Sequence, residues 1–397
     1  MPPLPSIVLK PRRARPFFAR HPWVLDSSIQ RVEGEPEAGA EVRVVTHDGH
    51  FIARGLFNPR STIRVRLYRW DDEPLDGAFW TDRLDTAIRL RHNALGLNRP
   101  GLGYRLVFSE GDGLSGLTVD RYDRWLIVHF SSFALFELRA FFLDRLRSLP
   151  DIDGIVVRAD RGVADREGIP LDYEGILGDL PEAPVSIVEN EIAFQVDLAR
   201  GQKTGFYLDQ RENRRVVANY FENRRVLDLF CYTGGFALNA RRHGRAASVL
   251  GVDSSGPAIA RAKENAALNG IDEVEFEEGK VLQVLERLRA EGRRFDAVVC
   301  DPPKFAQRST DIEKALKGYL RLNHAVLGVL EPGGILVTCS CSGSVDRGLF
   351  LQLLGQLAEQ SGRTIQVLDQ LGQPPDHPIS ASCLETEYLK CFICRVG

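Results

Sequence analysis

Two cysteines at the end of an apolar run are the residues of this chain best suited to covalent chemistry. They are Cys339 and Cys341 in the segment ILVTCSCSG, residues 335–343. A thiolate can add to carbon 6 of a cytosine, and this addition makes carbon 5 nucleophilic enough to attack a methyl sulfonium. Cysteine suits the role because a few per cent of an ordinary thiol is ionised at neutral pH, and a lowered pKa raises that fraction. Cys341 lies further along and is expected to be less buried, so we predict it as the nucleophile; two structural thiols are the alternative.

The motif DPPKF, residues 301–305, follows another apolar run and is suited to hold a planar ring. Its two prolines remove two N–H donors and stiffen the loop, which leaves Asp301 and nearby carbonyls as acceptors. We predict that Asp301 stabilises charge on a nucleobase by hydrogen bonding to ring nitrogen 3 or to the amino group. A rigid turn without a binding role is the alternative. The neighbours predicted to contact the base are Pro302, Pro303, Lys304 and Phe305.

The segment VLDLFCYTGGFAL, residues 226–238, is typical of a strand that turns sharply into a helix beside a ligand. Asp228 lies near the strand end. Gly234 and the glycine after it would let the backbone approach a ligand and leave helix N-terminal amides free. A pyrophosphate site needs the pattern GxGxxG, but Phe230 and Tyr232 stand where its first two glycines would be. The segment therefore disfavours NAD and favours S-adenosylmethionine, which has no phosphate.

Two further segments fit the same cofactor. Asp253 follows the next predicted strand, and an acidic side chain there can accept hydrogen bonds from both ribose hydroxyls. In GQKTGFYLDQRENR, residues 201–214, Arg211 is placed to pair with the carboxylate of the methionine moiety, while Phe206 and Tyr207 wall the pocket; an ordinary loop is the alternative. The complete set of predicted cofactor-binding residues is Phe206, Tyr207, Arg211, Asp228, Phe230, Tyr232, Thr233, Gly234, Asp253, Ser254 and Asp301.

These motifs share one expected scaffold. From about residue 191, strands and helices alternate, which is typical of a doubly wound parallel sheet. Such a sheet binds its ligand in the crevice at the carboxyl ends of its strands. The motifs should meet there because each follows a predicted strand: Arg225–Phe230, Ala247–Val252, Ala297–Cys300 and Gly334–Cys339.

The N-terminal part differs from the rest of the chain in its charge and in its pattern of apolar residues. Residues 1–73 predict a small β-barrel, with alternating strands over 41–46, 51–56 and 62–69. Residues 1–70 carry a net charge of +6, although the whole chain carries −3, and such a basic segment favours a polyanion such as RNA. Arg64 and Arg66 are predicted RNA-contacting residues on its surface. Residues 74–190 predict a mixed α/β domain with helices over 78–95 and 133–148. Asp160, Asp165 and Glu167 are interpreted as part of a solvated loop.

Composition excludes several classes of protein. The N-terminus lacks the apolar region of a secretory signal, and no apolar run reaches the ~18 residues of a membrane span. All seven cysteines lie after residue 230, which argues against a disulfide framework. Cys391 and Cys394 fall in a predicted strand, where residues three apart face opposite sides, so no metal site is expected. We expect a cytoplasmic protein without a membrane partner; the oligomeric state stays open, and a homodimer is one option.

Taken together, these motifs resemble the RlmI-like family of bacterial 23S rRNA cytosine-5 methyltransferases over essentially the whole chain. The resemblance is carried by KTGFYLDQR, CYTGGFAL, DPPKF and SCSG, and by RHPWV, ARGLFNP and GDGLSGLTVDRY further toward the N-terminus. It implies a Rossmann-like methyltransferase domain at 191–397. It also implies a PUA-like RNA-binding domain at 1–73 and a central EEHEE-type α/β domain at 74–190. The nucleophile that it implies is Cys341.

One departure and three competing functions accompany the resemblance. In EEGKV, residues 277–281, Lys280 stands where such enzymes usually carry an acidic residue for the adenine amino group. A guanine-nitrogen methyltransferase would share the fold and the DPP motif but need no cysteine. A non-catalytic RNA-binding assembly factor would need neither an intact cofactor site nor Cys341. A methyltransferase acting on a protein or a small molecule would leave the basic N-terminal segment without a purpose.

Overall fold

The computed structural model describes residues 4–171, 175–178, 181, 183–198, 205–305 and 312–397. The α-helices are α1 Arg15–Phe18, α2 Gly77–Arg89, α3 Phe133–Glu137, α4 Arg139–Arg147, α5 Arg161–Glu167, α6 Arg211–Ala218, α7 Gly235–Arg242, α8 Gly256–Leu268, α9 Val281–Ala290, α10 Ile312–Leu327 and α11 Arg347–Ser361. The strands are β1 Ser6–Leu9, β2 Trp23–Leu25, β3 Ile29–Glu33, β4 Glu41–Val45, β5 Phe51–Phe57, β6 Ile63–Arg69, β7 Gly103–Phe108, β8 Leu117–Tyr122, β9 Trp125–Phe130, β10 Gly154–Arg158, β11 Gly175–Gly178, β12 Val185–Glu189, β13 Ile192–Val196, β14 Arg225–Leu229, β15 Ser248–Asp253, β16 Val274–Glu278, β17 Phe295–Cys300, β18 Leu330–Ser340, β19 Ile365–Leu371 and β20 Lys390–Val396.

The chain divides into two compact units. The first comprises Met1–Ile187, Val196–Leu208 and Pro375–Thr386. The second comprises the remainder, namely Val188–Gln195, Asp209–Pro374 and Glu387–Gly397. No helix in the described part of the chain is long and apolar enough to cross a membrane.

The N-terminal part of the first unit is a mostly antiparallel sheet with the strand order β2-β6-β5-β4-β1-β3. Alternating apolar residues of these strands form one core, which includes Val24, Val42 and Val65. The alternation in the sequence predicted β4, β5 and β6, and these strands are confirmed. It missed β1, β2 and β3, because SIVL and WVL are short apolar runs without alternation and β3 is mostly exposed.

The rest of the first unit is built on the sheet order β11-β10-β9-β8-β7. Helices α2 and α4 contribute to its separate core with Trp80, Leu84 and Phe142. The helix predicted over 78–95 ends its α-helical part at Arg89 and continues as one π-helical turn, Leu90–Ala94. This turn directs the buried Arg91 to Asp112 and to the carbonyl oxygen of Arg105. Such π turns recur where a side chain has a special role.

A buried cluster of charged side chains lies in the first unit and corrects two expectations. Arg66 is only 7% exposed, and its guanidinium contacts Glu110 at 3.1 Å and Glu167 at 3.4 Å. Glu167 also accepts hydrogen bonds from Ser61 and Asn58. The solvated loop expected around Glu167 is therefore wrong: the segment is helix α5, capped by Asp160 at the N–H of Val163. Arg66 faces inward and is not available to an RNA phosphate.

Burial alone would raise the pKa of Glu110, but the Arg66 guanidinium and the hydrogen bonds from Ser109 and Ser115 outweigh it and hold the pKa below its usual range. We expect Arg66→Met to lower the free energy of unfolding by about 3–5 kcal/mol, because it leaves buried carboxylates without their cation. Urea denaturation measures the loss. The difference in unfolding free energy between the variant and the wild type should narrow as the pH falls toward about 4, the ordinary pKa of a carboxyl group. A carboxylate whose pKa is lowered in the folded chain stabilises the fold only above that pH.

Arg31→Met is the matched control. Arg31 pairs with Glu33 at 2.8 Å, but both side chains are about half exposed. Exposed pairs contribute about 0–1 kcal/mol, so this variant should unfold close to the wild type. Equal losses for the two variants would contradict the structural role of the buried cluster.

The second unit is a doubly wound sheet with the order β16-β15-β14-β17-β18-β20-β19. Strands β14 to β18 run parallel, and β20 is antiparallel to both of its neighbours. The predicted α/β alternation is thus confirmed. The order turns back at β14, which has β15 on one side and β17 on the other, and open α/β sheets bind ligands at such a point.

Candidate active site

Three carboxylates mark the carboxyl edge of the parallel sheet. Asp228 is the fourth residue of β14, Asp253 ends β15, and Asp301 follows β17 directly. The register pairs Leu229 with Cys300, and therefore carries Asp228 and Asp301 to the same edge. Carboxyl oxygens gathered at one edge favour a ligand that carries hydrogen-bond donors.

Asp228 is the most deeply buried of the three. Its Oδ2 accepts a hydrogen bond from the N–H of Ala237 at 2.9 Å, in the first turn of α7. Among the described residues, neither its Oδ1 nor the hydroxyl of Thr233 has a partner, and both atoms are buried. Burial raises the pKa of Asp228 well above its usual range, and the charges of Asp301 and Asp253 add to that effect. Buried acceptors are almost always satisfied, so both atoms fit a ligand that supplies donors.

The loop between β14 and α7 has an unusual backbone. Phe230, Tyr232 and Gly234 all have left-handed φ angles, of 61°, 49° and 88°. Phe230 and Tyr232 are the positions that would align with the first two glycines of a pyrophosphate loop. A left-handed conformation costs a non-glycine residue about 1–2 kcal/mol, and such strain concentrates at functional sites. The strained loop is held in part by Asp253, whose Oδ2 accepts the N–H of Tyr232 at 3.0 Å.

Asp253 is therefore fixed from two sides. Its Oδ1 accepts the N–H of Ser255 at 2.9 Å, and Ser255 caps helix α8. Each oxygen keeps lone-pair capacity beyond its backbone partner, since a carboxylate has about four acceptor sites. The geometry fits two ribose hydroxyls. Ser254, the next predicted residue, is exposed at the same edge, and Lys280 is exposed at the N-cap of α9.

Gln210 is a site residue that the sequence reasoning missed. Its amide nitrogen donates to Oδ2 of Asp301 at 3.0 Å, and its amide oxygen accepts from Asn213 at 2.6 Å. This chain of hydrogen bonds fixes the carboxylate of Asp301. Gln210 lies inside the motif KTGFYLDQR, so its position was visible, but an uncharged amide gave no chemical signal.

The other predicted residues of this motif are divided between the units. Arg211 begins α6 in the second unit and pairs with Glu212 at 3.2 Å. Phe206 and Tyr207 belong to the first unit, where the backbone N–H of Phe206 donates to the hydroxyl of Tyr122 at 3.1 Å. Residues 203 and 204 of the motif lie outside the described residues. A cofactor role for Phe206, Tyr207 and Arg211 stays a prediction.

The two candidate cysteines differ sharply in environment. Cys339 lies inside β18 opposite Cys391 and is 0% exposed. Contact with Cys391 and burial raise the pKa of Cys339 well above its usual range, so its thiol stays protonated. Cys341 follows the end of β18 and is partly exposed. Its position relative to Cys339 agrees with the expectation that Cys339 is the more buried of the two.

The loop after β18 and the DPPKF loop are joined through Tyr319 of α10. The hydroxyl of Tyr319 bonds Ser340 at 3.0 Å and Ser342 at 3.1 Å, the residues on either side of Cys341. The ring of Tyr319 packs on Phe305, with 4.7 Å between the ring centres. Phe305 keeps 37% of its surface exposed. Tyr319 therefore connects the loop that carries Cys341 with the aromatic ring of the DPPKF loop. We call the region from Phe305 to Cys341 the candidate cleft.

The remaining residues of the DPPKF loop differ in how far they are exposed to solvent. Pro302 is buried, and Pro303 and Lys304 are exposed. Asp301 and Cys341 follow neighbouring parallel strands, β17 and β18, in which Cys300 is opposite Thr338. This arrangement offers an acceptor, an aromatic face and a thiol at one place.

Arg64, a predicted RNA contact, lies outside the candidate cleft. It is partly buried and pairs with Asp26 at 2.8 Å.

A possible metal-binding group lies in the first unit. His21, Cys383 and Glu385 place three ligand atoms within 4.8 Å of one another. However, Nδ1 of His21 accepts the N–H of Trp23, which puts the ring proton on Nε2, facing Glu385. A hydrogen-bonded pair therefore explains this group without a metal ion.

Comparison with known families places this site in a class. The family model described as "S-adenosylmethionine-dependent methyltransferase" matches residues 172–389, and the model "PUA-like domain" matches residues 7–70. The fold is accordingly a Rossmann-like methyltransferase domain preceded by a PUA-like domain. The protein is an S-adenosylmethionine-dependent methyltransferase. The buried acceptors at the carboxyl edge fit this cofactor, which carries two cationic groups and two ribose hydroxyls.

Curated relatives define the family more narrowly. The protein named "Ribosomal RNA large subunit methyltransferase I" from Shewanella frigidimarina is 40% identical over 98% of this chain and 99% of its own length. The protein of that name from an Enterobacter species is 39% identical over 98% and 99%. The chain belongs to the family of ribosomal RNA large subunit methyltransferase I.

Solved structures agree on the fold. An S-adenosylmethionine-dependent methyltransferase from Streptococcus mutans superposes with a TM-score of 0.84 at 18% identity, covering 98% of this chain and 99% of its own. A methyltransferase solved with S-adenosylhomocysteine gives the same TM-score at 19% identity and the same coverage.

Replacing Asp253 tests the cofactor site. We expect Asp253→Asn to weaken S-adenosylmethionine binding by roughly 1.5–3 kcal/mol, the range for a lost hydrogen bond to a charged group. Isothermal titration calorimetry measures the affinity. Glu359→Gln is the control, because Glu359 is an exposed acidic residue on α11. Unchanged affinity in Asp253→Asn would remove Asp253 from the site.

Proposed function

We propose that this chain methylates carbon 5 of a cytosine in 23S ribosomal RNA, with Cys341 as the covalent nucleophile. The observation that carries the proposal is the pairing of a partly exposed thiol with Asp301 at the ends of neighbouring parallel strands. A nitrogen methyltransferase has no use for that thiol, because a ring or amino nitrogen brings its own lone pair to the methyl group. The names of the curated relatives support ribosomal RNA as the substrate.

The residues of the cofactor site have distinct proposed roles. S-adenosylmethionine, when bound, supplies a methyl group on a cationic sulfur. Asp253 accepts the ribose hydroxyls, and Oδ1 of Asp228 and the Thr233 hydroxyl face the donors of the amino-acid end. Gly234 lets the backbone approach closely, since its φ of 88° suits glycine. Phe230 and Tyr232 line the strained loop around the cofactor.

The residues of the cleft carry the chemistry. A cytosine taken out of its stack lies between Phe305 and the loop after β18. The Cys341 thiolate adds to carbon 6, and the electron pair displaced toward carbon 5 forms the bond to the methyl group, whose bond to the cofactor sulfur breaks and leaves S-adenosylhomocysteine. The carbon-5 proton then leaves to water, its electron pair restores the double bond between carbons 5 and 6, and the bond from Cys341 to carbon 6 breaks to regenerate the thiolate. Asp301, held by Gln210, hydrogen bonds to the ring and stabilises the charge that develops on it.

Cysteine variants separate this reaction from nitrogen methylation. We expect Cys341→Ala to abolish methyl transfer to rRNA while keeping S-adenosylmethionine affinity, because the thiol contributes to chemistry and not to cofactor binding. Cys339→Ala should stay active, since Cys339 is buried beside Cys391. Transfer of a labelled methyl group, followed by mass spectrometry of the nucleosides, measures both activity and product.

The product decides among the alternatives. Activity retained in Cys341→Ala together with a methylated guanosine would establish the guanine-nitrogen methyltransferase instead. Cofactor binding without any methyl transfer by the wild-type chain would favour the non-catalytic assembly factor.

The basic character of the PUA-like domain lies mostly outside the predicted Arg64 and Arg66. Exposed cations cluster in one short segment, residues 10–20: Lys10, Arg12, Arg13, Arg15 and Arg20. In the described part of the chain, no carboxylate forms an ion pair with any of these five cations. Phe18 in the same segment is 57% exposed. Unpaired cations around an exposed aromatic ring suit phosphate contacts and base stacking, so we propose this segment as the RNA-docking surface.

The salt dependence of RNA binding tests this surface. We expect the triple variant Arg12→Gln, Arg13→Gln, Arg15→Gln to bind rRNA more weakly. Its slope of log affinity against log salt should fall by about one per lost phosphate contact. Filter binding at several salt concentrations gives the slope. Arg31→Gln, which removes a cation already paired with Glu33, is the control, and an unchanged slope in the triple variant would reject the surface.

A further inference from the structure

Lys390 is a buried cation beside the proposed nucleophile. It is the first residue of β20 and is only 1% exposed. Lysine is almost never fully buried without a partner that compensates its charge. Its position therefore calls for an explanation that packing alone does not provide.

The ammonium group of Lys390 is fixed at the end of β18. Lys390 is opposite Ser340 in the antiparallel register. Its Nζ donates to the carbonyl oxygen of Ser342 at 2.7 Å and to that of Tyr388 at 2.8 Å. These bonds place the cation against the backbone of residues 340–342. An ammonium has three N–H donors, and two are used to orient it at the loop that carries Cys341.

No carboxylate among the described residues forms an ion pair with Lys390. The nearby acids are engaged elsewhere: Asp346 caps α11 at the N–H of Leu349 at 2.8 Å, and Glu387 pairs with Arg347 at 2.5 Å. Burial lowers the pKa of Lys390 to about 8. Of the neighbouring titratable groups, Cys341 raises this pKa most, ahead of Glu387 and Asp346, while Arg347 lowers it.

We propose that Lys390 is a positioning residue that stabilises the thiolate form of Cys341 through the charge of its buried ammonium. This inference rests on the proposed function in one respect only, namely that a thiolate at Cys341 is useful for methyl transfer. Lys390 acts through the sulfur and does not need to touch the RNA base. The thiolate in turn supplies the negative charge that a buried ammonium requires.

The surroundings of Cys341 favour this pairing. Tyr319, the other titratable group at the loop, bonds Ser340 and Ser342 through its hydroxyl. Burial raises the pKa of Tyr319, and proximity to Cys341 raises it further. Tyr319 therefore stays neutral, and Lys390 is the cation of this group. An opposite charge at close range typically shifts a pKa by about 1–3 units.

The test measures ionisation of the thiol itself. The full chain is alkylated with iodoacetamide across a pH series, and the rate at Cys341 is read from its peptide by mass spectrometry. The other six cysteines are buried, so Cys341 should react first. In the folded chain, the midpoint of the rate–pH curve should lie about one unit or more below that of the same peptide position in urea.

Lys390→Met removes the charge but keeps most of the side-chain volume. We expect the Cys341 midpoint to rise by about one unit or more. Methyl transfer near pH 7 should fall roughly tenfold for each unit, because the thiolate fraction falls in that proportion. The difference in activity between the variant and the wild type should shrink above about pH 9, where the wild-type ammonium is also lost and an ordinary thiol at Cys341 ionises without it. Affinity for S-adenosylmethionine should not change.

Two further variants complete the design. Lys390→Arg keeps the charge and should restore a low midpoint at least in part, whereas Lys263→Met, an exposed lysine on α8, should change nothing. A folded Lys390→Met with an unchanged midpoint overturns the proposal. If that variant does not fold, the wild-type comparison between folded and urea-unfolded chain still decides, and equal midpoints reject it. A shifted midpoint with full activity in Cys341→Ala would instead reject the nucleophile role and leave the electrostatic pairing standing.

Discussion

The parallel hydrogen-bond register of β14, β17 and β18 is the constraint on which the rest of the site depends. It brings Asp228, Asp301 and Cys341 to one edge, although they are far apart in the chain. A slip of one residue in a strand would turn each side chain to the opposite face of the sheet. Hydrophobic packing opposes such a slip, since Leu229 and Val298 would leave the buried core to which they both belong. Hydrophobic packing therefore sets the geometry of a polar site.

Burial at this edge works in two opposite ways. Among the described residues it leaves Oδ1 of Asp228 without a partner, and it raises the pKa of the carboxyl group; in the proposed site this oxygen receives a donor group of the cofactor. It also holds the ammonium of Lys390 beside a cysteine that can carry the matching charge. A buried unpartnered acceptor and a buried ammonium are each unfavourable in isolation. We propose that the cofactor compensates the first and the Cys341 thiolate the second. The left-handed φ angles of Phe230 and Tyr232 are a further conformational free-energy cost at the same site.

The sequence allowed the scaffold of the second unit and the main motifs to be predicted, because long apolar strands alternate there with amphipathic helices. It did not reveal Gln210 or Lys390, since their roles arise from contacts between segments about 90 and 50 residues apart in the chain. For Arg66 the sequence prediction was wrong. The alternation correctly placed it on a strand and suggested a surface position, but the tertiary structure shows that its side chain faces Glu110 and Glu167. The single helix predicted over 133–148 is instead two helices, α3 and α4, with Leu138 between them.

The central claim is that Cys341 forms a bond to the substrate base, and trapping that bond tests it most directly. The wild-type chain is incubated with S-adenosylmethionine and rRNA that carries 5-fluorocytidine in place of cytidine. Fluorine cannot leave carbon 5 as a proton does, so the account predicts a stable, methylated adduct, which peptide mass spectrometry should locate on Cys341. An enzyme that methylates ordinary rRNA but yields no adduct, or yields one on Cys339, would contradict the account.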